Sequence, residues 1–185
     1  MSTVLHYDIV VIGSGPAGQK AAIQGAKAGK HVAVIEREIG VGGGCVYRGT
    51  IPSKTLRESA LQLGRMKRSA ISPNAAIPSS ILVATLMQRL DEVVTSHGDY
   101  MMNQLTRNGV TLFHGRAQFR SDSLIEMLTI DGMKQTLSAD TIIIATGSRP
   151  RAPVDIPIDH EHILDSDSIL SMIYLPRSLT VLGGG

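Results

Sequence analysis

The sequence holds a single cysteine, Cys45, no tryptophan, and only four tyrosines and two phenylalanines in 185 residues. One thiol excludes an intrachain disulfide framework and agrees with a reducing, cytoplasmic setting. Aromatics at 3% are too sparse for a platform that stacks nucleic-acid bases. Charge is modest, with 18% charged residues and a net charge of +2 with the signs interspersed. That pattern argues against nucleic acid or a membrane surface as partner. No apolar run approaches the length of a membrane span. Asp8 interrupts the first apolar stretch and no basic segment precedes it, so no signal peptide is expected. The six histidines fall into no metal-ligand spacing, and His160-Glu161-His162 reads as a solvated loop in a proline-rich connector, so no metal is expected. A G-x-S-x-G elbow is also missing, which leaves a hydrolase triad without support.

What is present is a packed core, since 43% of residues are hydrophobic, and an α/β pattern. Tyr7 to Ile12 is a short β-branched run ending at Gly13, and it reads as a buried parallel strand. Pro16 suits the first position of a helix over Ala17 to Ala28, with Lys27 and Lys30 near its end and Gly29 as its stop. His31 to Ile35 follows as a second strand, completing a β-α-β unit.

Between these elements stands Gly13-Ser14-Gly15-Pro16-Ala17-Gly18, a G-x-G-x-x-G turn. Gly13 permits the turn, Gly15 lets a pyrophosphate reach the backbone, and Gly18 lets helix and strand pack closely. Pro16 and Ala17 open the helix, whose first N–H groups and partial positive charge favour phosphate. Glu36 lies 18 residues beyond Gly18, where an acid accepts hydrogen bonds from both ribose hydroxyls and repels a 2′-phosphate. The expected ligand is a dinucleotide with an unphosphorylated adenosine ribose, FAD or NAD. A loose glycine turn with a surface glutamate is the bland alternative.

Further along, Gly40 to Gly44 is a glycine-rich loop, and Ser53 to Met66 reads as a helix with Ser53 as its N-cap. Ser72 to Ser80 is a Pro/Ser-rich break. A long helix follows, marked by Leu86, Leu90, Val93, His97, Met101 and Leu105 and closed by Asn108-Gly109. Met87, Met101 and Met102 read as core. Strands are expected at Val110 to Phe113, at Leu124 to Ile130 and Met133 to Leu137 around a type I′ turn at Asp131-Gly132, and at Thr141 to Ala145 as a buried central strand. Pro150, Pro153 and Pro157 mark a connector, and Leu179 to Leu182 starts another strand running into Gly183.

The segment Gly42-Gly43-Gly44-Cys45-Val46-Tyr47-Arg48-Gly49-Thr50-Ile51-Pro52-Ser53-Lys54 resembles the active-site segment of the flavoprotein disulfide reductases, whose pattern is G-G-x-C-x-x-x-x-C-x-P-S-K. Ala145-Thr146-Gly147-Ser148-Arg149-Pro150 is similar to their A-T-G-S-x-P turn at the flavin. Thr50 occupies the second cysteine position. A dithiol relay proceeds through thiolate attack and a mixed disulfide, so Cys45 alone does not support disulfide reduction. With that departure the chain instead resembles the soluble pyridine nucleotide transhydrogenases of the same family, including at Asp165-Ser166-Asp167-Ser168-Ile169-Leu170.

The resemblance implies a Rossmann-like FAD-binding domain with a central parallel sheet, a long helical insertion and a small antiparallel meander. It divides the chain into an FAD-binding domain over 1–150, a connector over 151–176, and a truncated first strand and glycine turn of an NAD(P)-binding domain over 177–185. It implies an oxidoreductase whose flavin passes hydride between NADPH/NADP and NADH/NAD, with those nucleotides as substrates, in a cytoplasmic homodimer, the 185 residues alone being inactive. A dihydrolipoamide-dehydrogenase-like flavoprotein without its dithiol and a non-catalytic FAD-binding module are the alternatives. An NAD-dependent dehydrogenase would leave Gly42 to Lys54 without a task.

By that resemblance Gly13, Gly15, Pro16, Ala17 and Gly18 hold the FAD pyrophosphate and Glu36 the adenosine ribose, with Arg37 also among the cofactor-binding residues. Gly42, Gly43, Gly44 and Cys45 line the path from phosphate to flavin. Thr50 lies beside the isoalloxazine and Lys54 near it, steadying negative charge on the reduced ring, with Ser53 also among the cofactor-binding residues. Gly115 and Ala117 contact adenine through the backbone, and Ala145, Thr146, Gly147 and Ser148 close the far side. Cys45 and Lys54 are the catalytic candidates. Their bland readings are a small buried hydrophobe and a solvent-facing helix lysine, and for Gly115 a bulge.

Overall fold

A computed structural model describes residues 4–69 and 79–183. Its elements in chain order are β1 (Val4–Ile12), α1 (Pro16–Lys27), β2 (Val32–Glu36), α2 (Gly43–Tyr47), α3 (Thr50–Ser69), α4 (Ser79–Arg107), β3 (Thr111–Phe119), β4 (Leu124–Thr129), β5 (Lys134–Ile144) and a 3-10 turn, Ser168–Ser171. The expected break at Ser72 to Ser80 lies outside the described residues apart from Ser79 and Ser80, with which α4 begins.

The strands form one closed ring in sequence order, β1-β2-β3-β4-β5. β1 is flanked in parallel by β2 and β5, and β2 by the first part of β3. β4 runs antiparallel to the later part of β3 and the earlier part of β5, which closes the ring. The register sets Ile12 level with both Ile35 and Ile144, and Glu36 level with His114. The parallel strands β1, β2 and β5 therefore present their carboxyl ends together, with β3 passing beside them at His114, at the kind of edge where open α/β sheets bind ligands.

Alternation along β1 splits the core in two. Val10 points into the ring with Tyr7, Ile35, Ile125, Met127 and Leu137. Val11 points the other way, to Ala22 and Ile23 of α1 and Leu105 of α4. A strand covered on both faces needs apolar residues on both, which explains its unbroken run. Met101 and Met102 pack beside the outer cluster as expected for core, and Met87 is half-buried.

α1 begins at Pro16 after Gly15, and Gly29 follows its C-cap in the left-handed region (φ 77°). Its distance from β1 is set by Gly18, where an added Cβ would stand 1.9 Å from the Gly13 carbonyl oxygen. Gly25 repeats the device, its Cβ position being 2.8 Å from Ile9 Cδ1.

Several expectations are corrected. Ser53 is not an N-cap: α3 starts at Thr50, and the Ser53 hydroxyl donates back to the Thr50 carbonyl at 3.3 Å. Pro52 falls in the first turn, where its missing N–H costs no helical bond. The Asp131-Gly132 turn is not type I′, which needs positive φ at both central residues. Only Gly132 has it, and the Thr129 carbonyl accepts from the Gly132 N–H, as in a type I turn followed by a glycine. Met133 to Leu137 and Thr141 to Ala145 belong to one strand, β5, ending at Ile144. Its last part is not a buried central strand. There β5 pairs with β1 alone among the described residues, and Ile144 is 65% exposed. Leu179 to Leu182 forms no strand, because it has no pairing partner among the described residues and is exposed.

Because Gly18 meets backbone rather than a flexible side chain, Gly18→Ala is expected to cost about 1–3 kcal/mol by overpacking. Urea unfolding followed by circular dichroism checks this, and an unchanged midpoint would show that α1 is free to shift.

Candidate active site at the carboxyl edge of the sheet

A cavity of about 690 Å³ opens at this edge, within the range of ligand sites. The β1–α1 turn forms its floor through Gly13, Gly15, Pro16 and Ala17. Ile35, Glu36 and Arg37 at the end of β2 form one side, and Gly115 of β3 lies beside them. Gly43, Gly44, Cys45 and Thr50 form another side, opposite Ala145, Thr146, Gly147 and Ser148 beyond β5. The structure thus brings together residues from five separated stretches of sequence.

Five expected site residues stand outside the wall. Gly18 acts in packing, as above. Gly42, buried with φ 125°, would drive a Cβ to 2.4 Å from Val46 Cγ2, so it shapes the loop from behind. Ala117 packs on the core inside the ring. Ser53 and Lys54 are exposed on the first turn of α3.

The floor and walls are bare peptide. A Cβ added at Gly15, Gly44 or Gly147 would meet nothing within 4 Å, so the space these residues leave is available to a ligand that approaches the backbone. Gly43 packs the opposite way, its Cβ position 3.0 Å from the Gly15 α-carbon. The α1 N-terminus faces this floor with first-turn N–H groups that have no intrahelical acceptor. Backbone donors, a helix N-terminus and an acid at the next strand suit a dinucleotide pyrophosphate and its ribose.

Glu36 is buried, at 5% exposure. Its Oε2 accepts from the Ser14 N–H at 2.8 Å and the Ser14 hydroxyl at 2.6 Å, and its Oε1 from the Glu38 N–H at 3.0 Å. Burial by itself pushes this carboxyl up, but the Glu38 N–H, both Ser14 donors and the Arg37 N–H together hold it below the ordinary glutamate range. The acid is therefore charged where it meets the cavity.

Four residues that edge the site, Glu38, Arg48, Arg149 and Asp167, receive no role from the sequence. Glu38 pairs with Arg37 at 3.2 Å and Arg149 at 3.5 Å, bridging the ends of β2 and β5. Arg48, closing α2, pairs with Asp167 at 3.5 Å. Asp165 builds the turn that offers Asp167, its Oδ1 accepting from the N–H groups of Asp167 and Ser168. Arg48, Arg149, Asp165 and Asp167 lie inside recognisable segments that assign them no role, and the partners in the Arg48–Asp167 and Arg149–Glu38 pairs are remote in sequence. His160, Glu161 and His162 are exposed, and among the described residues no three potential metal ligands gather.

The family model for pyridine nucleotide-disulphide oxidoreductase matches residues 7–185. The chain belongs to this family. It shares 47% identity over 184 residues with a soluble pyridine nucleotide transhydrogenase of Mycobacterium tuberculosis, covering 97% of this chain and 39% of the relative. A protein of the same name from Azotobacter vinelandii is 39% identical over 182 residues, covering 98% of this chain and 39% of that one. Among solved structures, the Cu(II) complex of the HOCl-induced flavoprotein disulfide reductase RclA from Escherichia coli superposes with a TM-score of 0.75 at 28% identity, covering 92% of this chain and 35% of that one. The chain thus spans about two fifths of the length of the curated relatives it matches. Its fold is the FAD-binding domain fold of the pyridine nucleotide-disulphide oxidoreductases.

Gly15→Ala is expected to leave unfolding unchanged and to weaken FAD binding at least about tenfold, because the methyl enters the space the ligand needs. Equal affinity by flavin fluorescence quenching would exclude this floor. For Glu36, a lowered folded-state pKa means stability that is complete above its ordinary value of 4.5 and is lost as pH falls through the folded value. Glu36→Gln should therefore flatten the acid side of a plot of urea midpoint against pH, and an identical slope would contradict the charged state.

Proposed function

We propose that this chain is the FAD-holding part of an oxidoreductase that passes hydride between NADPH/NADP and NADH/NAD. The observation that carries the reading is one cavity bounded by the fingerprint turn, Glu36, the Gly43 to Thr50 segment and the Ala145 to Ser148 turn. Its floor and walls suit the cofactor along its length. Gly13, Gly15 and the start of α1 would hold the pyrophosphate, Glu36 the adenosine ribose, and Gly43, Gly44 and Thr50 the flavin side. FAD when bound supplies two-electron hydride chemistry; the residues bind it, orient it and keep water from its buried face.

Thr50 distinguishes this reading from disulfide reduction. Cys45 is the only cysteine and half-buried, and the position of a second thiol carries a hydroxyl that donates a hydrogen bond without offering a thiolate. Hydride exchange between nucleotides needs no thiol relay. The names and identities of the relatives from Mycobacterium tuberculosis and Azotobacter vinelandii support the same choice. For Lys54, the role of steadying negative charge on the ring requires its exposed ammonium to reach the flavin once a partner surface covers α3. A homodimer and a cytoplasmic setting accompany this proposal; no described helix is long and apolar enough to cross a membrane.

The test uses a polypeptide carrying these residues together with a nicotinamide site. Reduction of a thio-NAD analogue by NADPH, with flavin bleaching on mixing, is the expected result, and lipoamide is expected to remain unreduced. Lipoamide turnover without nucleotide exchange would sink the assignment.

A further inference from the structure

Ser14 is the first of the three variable positions of the fingerprint, yet it is fully buried, at 0% exposure. Its side-chain oxygen has two partners of opposite kind. The Gly42 N–H donates to it at 3.2 Å, and its own proton goes to Glu36 Oε2 at 2.6 Å. Because Gly42 supplies the donor on one side, the hydroxyl proton has a single direction left, toward the carboxylate. Gly42 is fixed in turn by its left-handed backbone and by Val46 and Met101 behind it.

We propose that Ser14 is a positioning residue for cofactor recognition: its hydroxyl and N–H together saturate Glu36 Oε2, which locks the carboxylate in one orientation and leaves Oε1 as the oxygen with capacity for a ribose hydroxyl. A carboxylate offers about four acceptor directions. Ser14 takes both on Oε2 and the Glu38 N–H takes one on Oε1, while the Arg37 N–H, the weakest of the influences on this carboxyl, lies outside hydrogen-bond geometry and takes none. The acid then discriminates through one well-aimed bond rather than two loose ones, and the adenosine end is tied through Gly42 to the loop that leads to the flavin side. The inference rests on the reading of the cavity as an FAD site.

Other ionisable groups surround Glu36 and must be common to every comparison. Arg37 and Glu38 follow it on its own segment, and Arg149 comes from the end of β5. His114 lies level with it on β3, its Nδ1 3.0 Å from the Glu38 carbonyl. Tyr47 of α2 feels the charge of Glu36, though burial is the larger cause of its raised pKa. Substitution at Ser14 leaves all of these in place.

The experiment is FAD titration of the apoprotein by flavin fluorescence quenching, from about pH 4 to 8, for the unaltered chain, Ser14→Ala, Ser14→Thr and each change in a Glu36→Ala background. Ser14→Ala is expected to bind about ten- to a hundredfold more weakly, as loss of a charge-assisted bond implies. Its acid limit of binding should move to higher pH, because the carboxyl loses a donor that favours its charged form. Ser14→Thr, which keeps the hydroxyl, should restore the unaltered limit, and in the Glu36→Ala background Ser14→Ala should have little further effect. The same loss in both backgrounds, or an unmoved acid limit, would overturn the positioning role while leaving the FAD site intact. Failure of the unaltered chain to bind FAD would instead remove the reading on which it rests. Should Ser14→Ala not fold, carbon-13 NMR titration of the Glu36 carboxyl in the unaltered chain decides: titration at or above the ordinary glutamate range overturns the proposal.

Discussion

The contact between Gly18 and the Gly13 carbonyl governs the geometry of this domain. With 1.9 Å between that oxygen and the place of a Cβ, α1 lies against β1 at a separation that only glycine permits. That separation fixes where α1 begins, and so where its unpaired N–H groups point. A wider spacing would carry the helix N-terminus away from the cavity floor and part Gly15 from Gly43, whose Cβ position is 3.0 Å from the Gly15 α-carbon. The position of these N–H groups at the cavity floor is therefore a by-product of packing: the helix dipole acts over about one turn, and close docking puts that turn at the cavity.

Around this contact the sheet supplies alignment and the loops supply chemistry. Parallel register brings Ile12, Ile35 and Ile144 level, so the next residues of three strands enter the same cleft. The charges that follow are paired between elements, Glu38 with Arg149 and Arg48 with Asp167. The exposed Glu38–Arg149 pair adds little to stability, but with the half-buried Arg48–Asp167 pair it joins the ends of β2 and β5, and of α2 and the 165–171 turn, at the cavity edge.

Much of this was legible in the sequence where local rules and packing agree. The β1-α1-β2 unit, the glycine turn and Glu36 were readable because strand, helix start and acid occur in register. Ser14 was not, since the fingerprint leaves its position open and its partners Glu36 and Gly42 lie 22 and 28 residues away. β5 was read as two strands because Ser138, Ala139 and Asp140 interrupt the apolar run. Ser138 and Ala139 pair with β1 regardless, through backbone bonds that ignore side-chain polarity. The exposure of Ile144 and of Leu179 to Leu182 shows the converse: an apolar run states a preference for burial without naming what covers it. The helix start at Thr50 was obscured by Pro52, which reads as a boundary but serves equally well inside a first turn.

The closed ring has a consequence for how the chain acquires its shape. β1 is flanked on one side by β2, available soon after it, and on the other by β5, whose Ser138 bonds to His6 across 132 residues. On a ribosome, synthesis proceeds from the N-terminus at about 5–20 residues per second. The first strand must then wait several seconds with one edge unsatisfied until the last strand emerges. Ring closure is thus a late event, and the newborn chain carries an open, β-branched edge that helper proteins or slow neighbours can capture before the cleft exists.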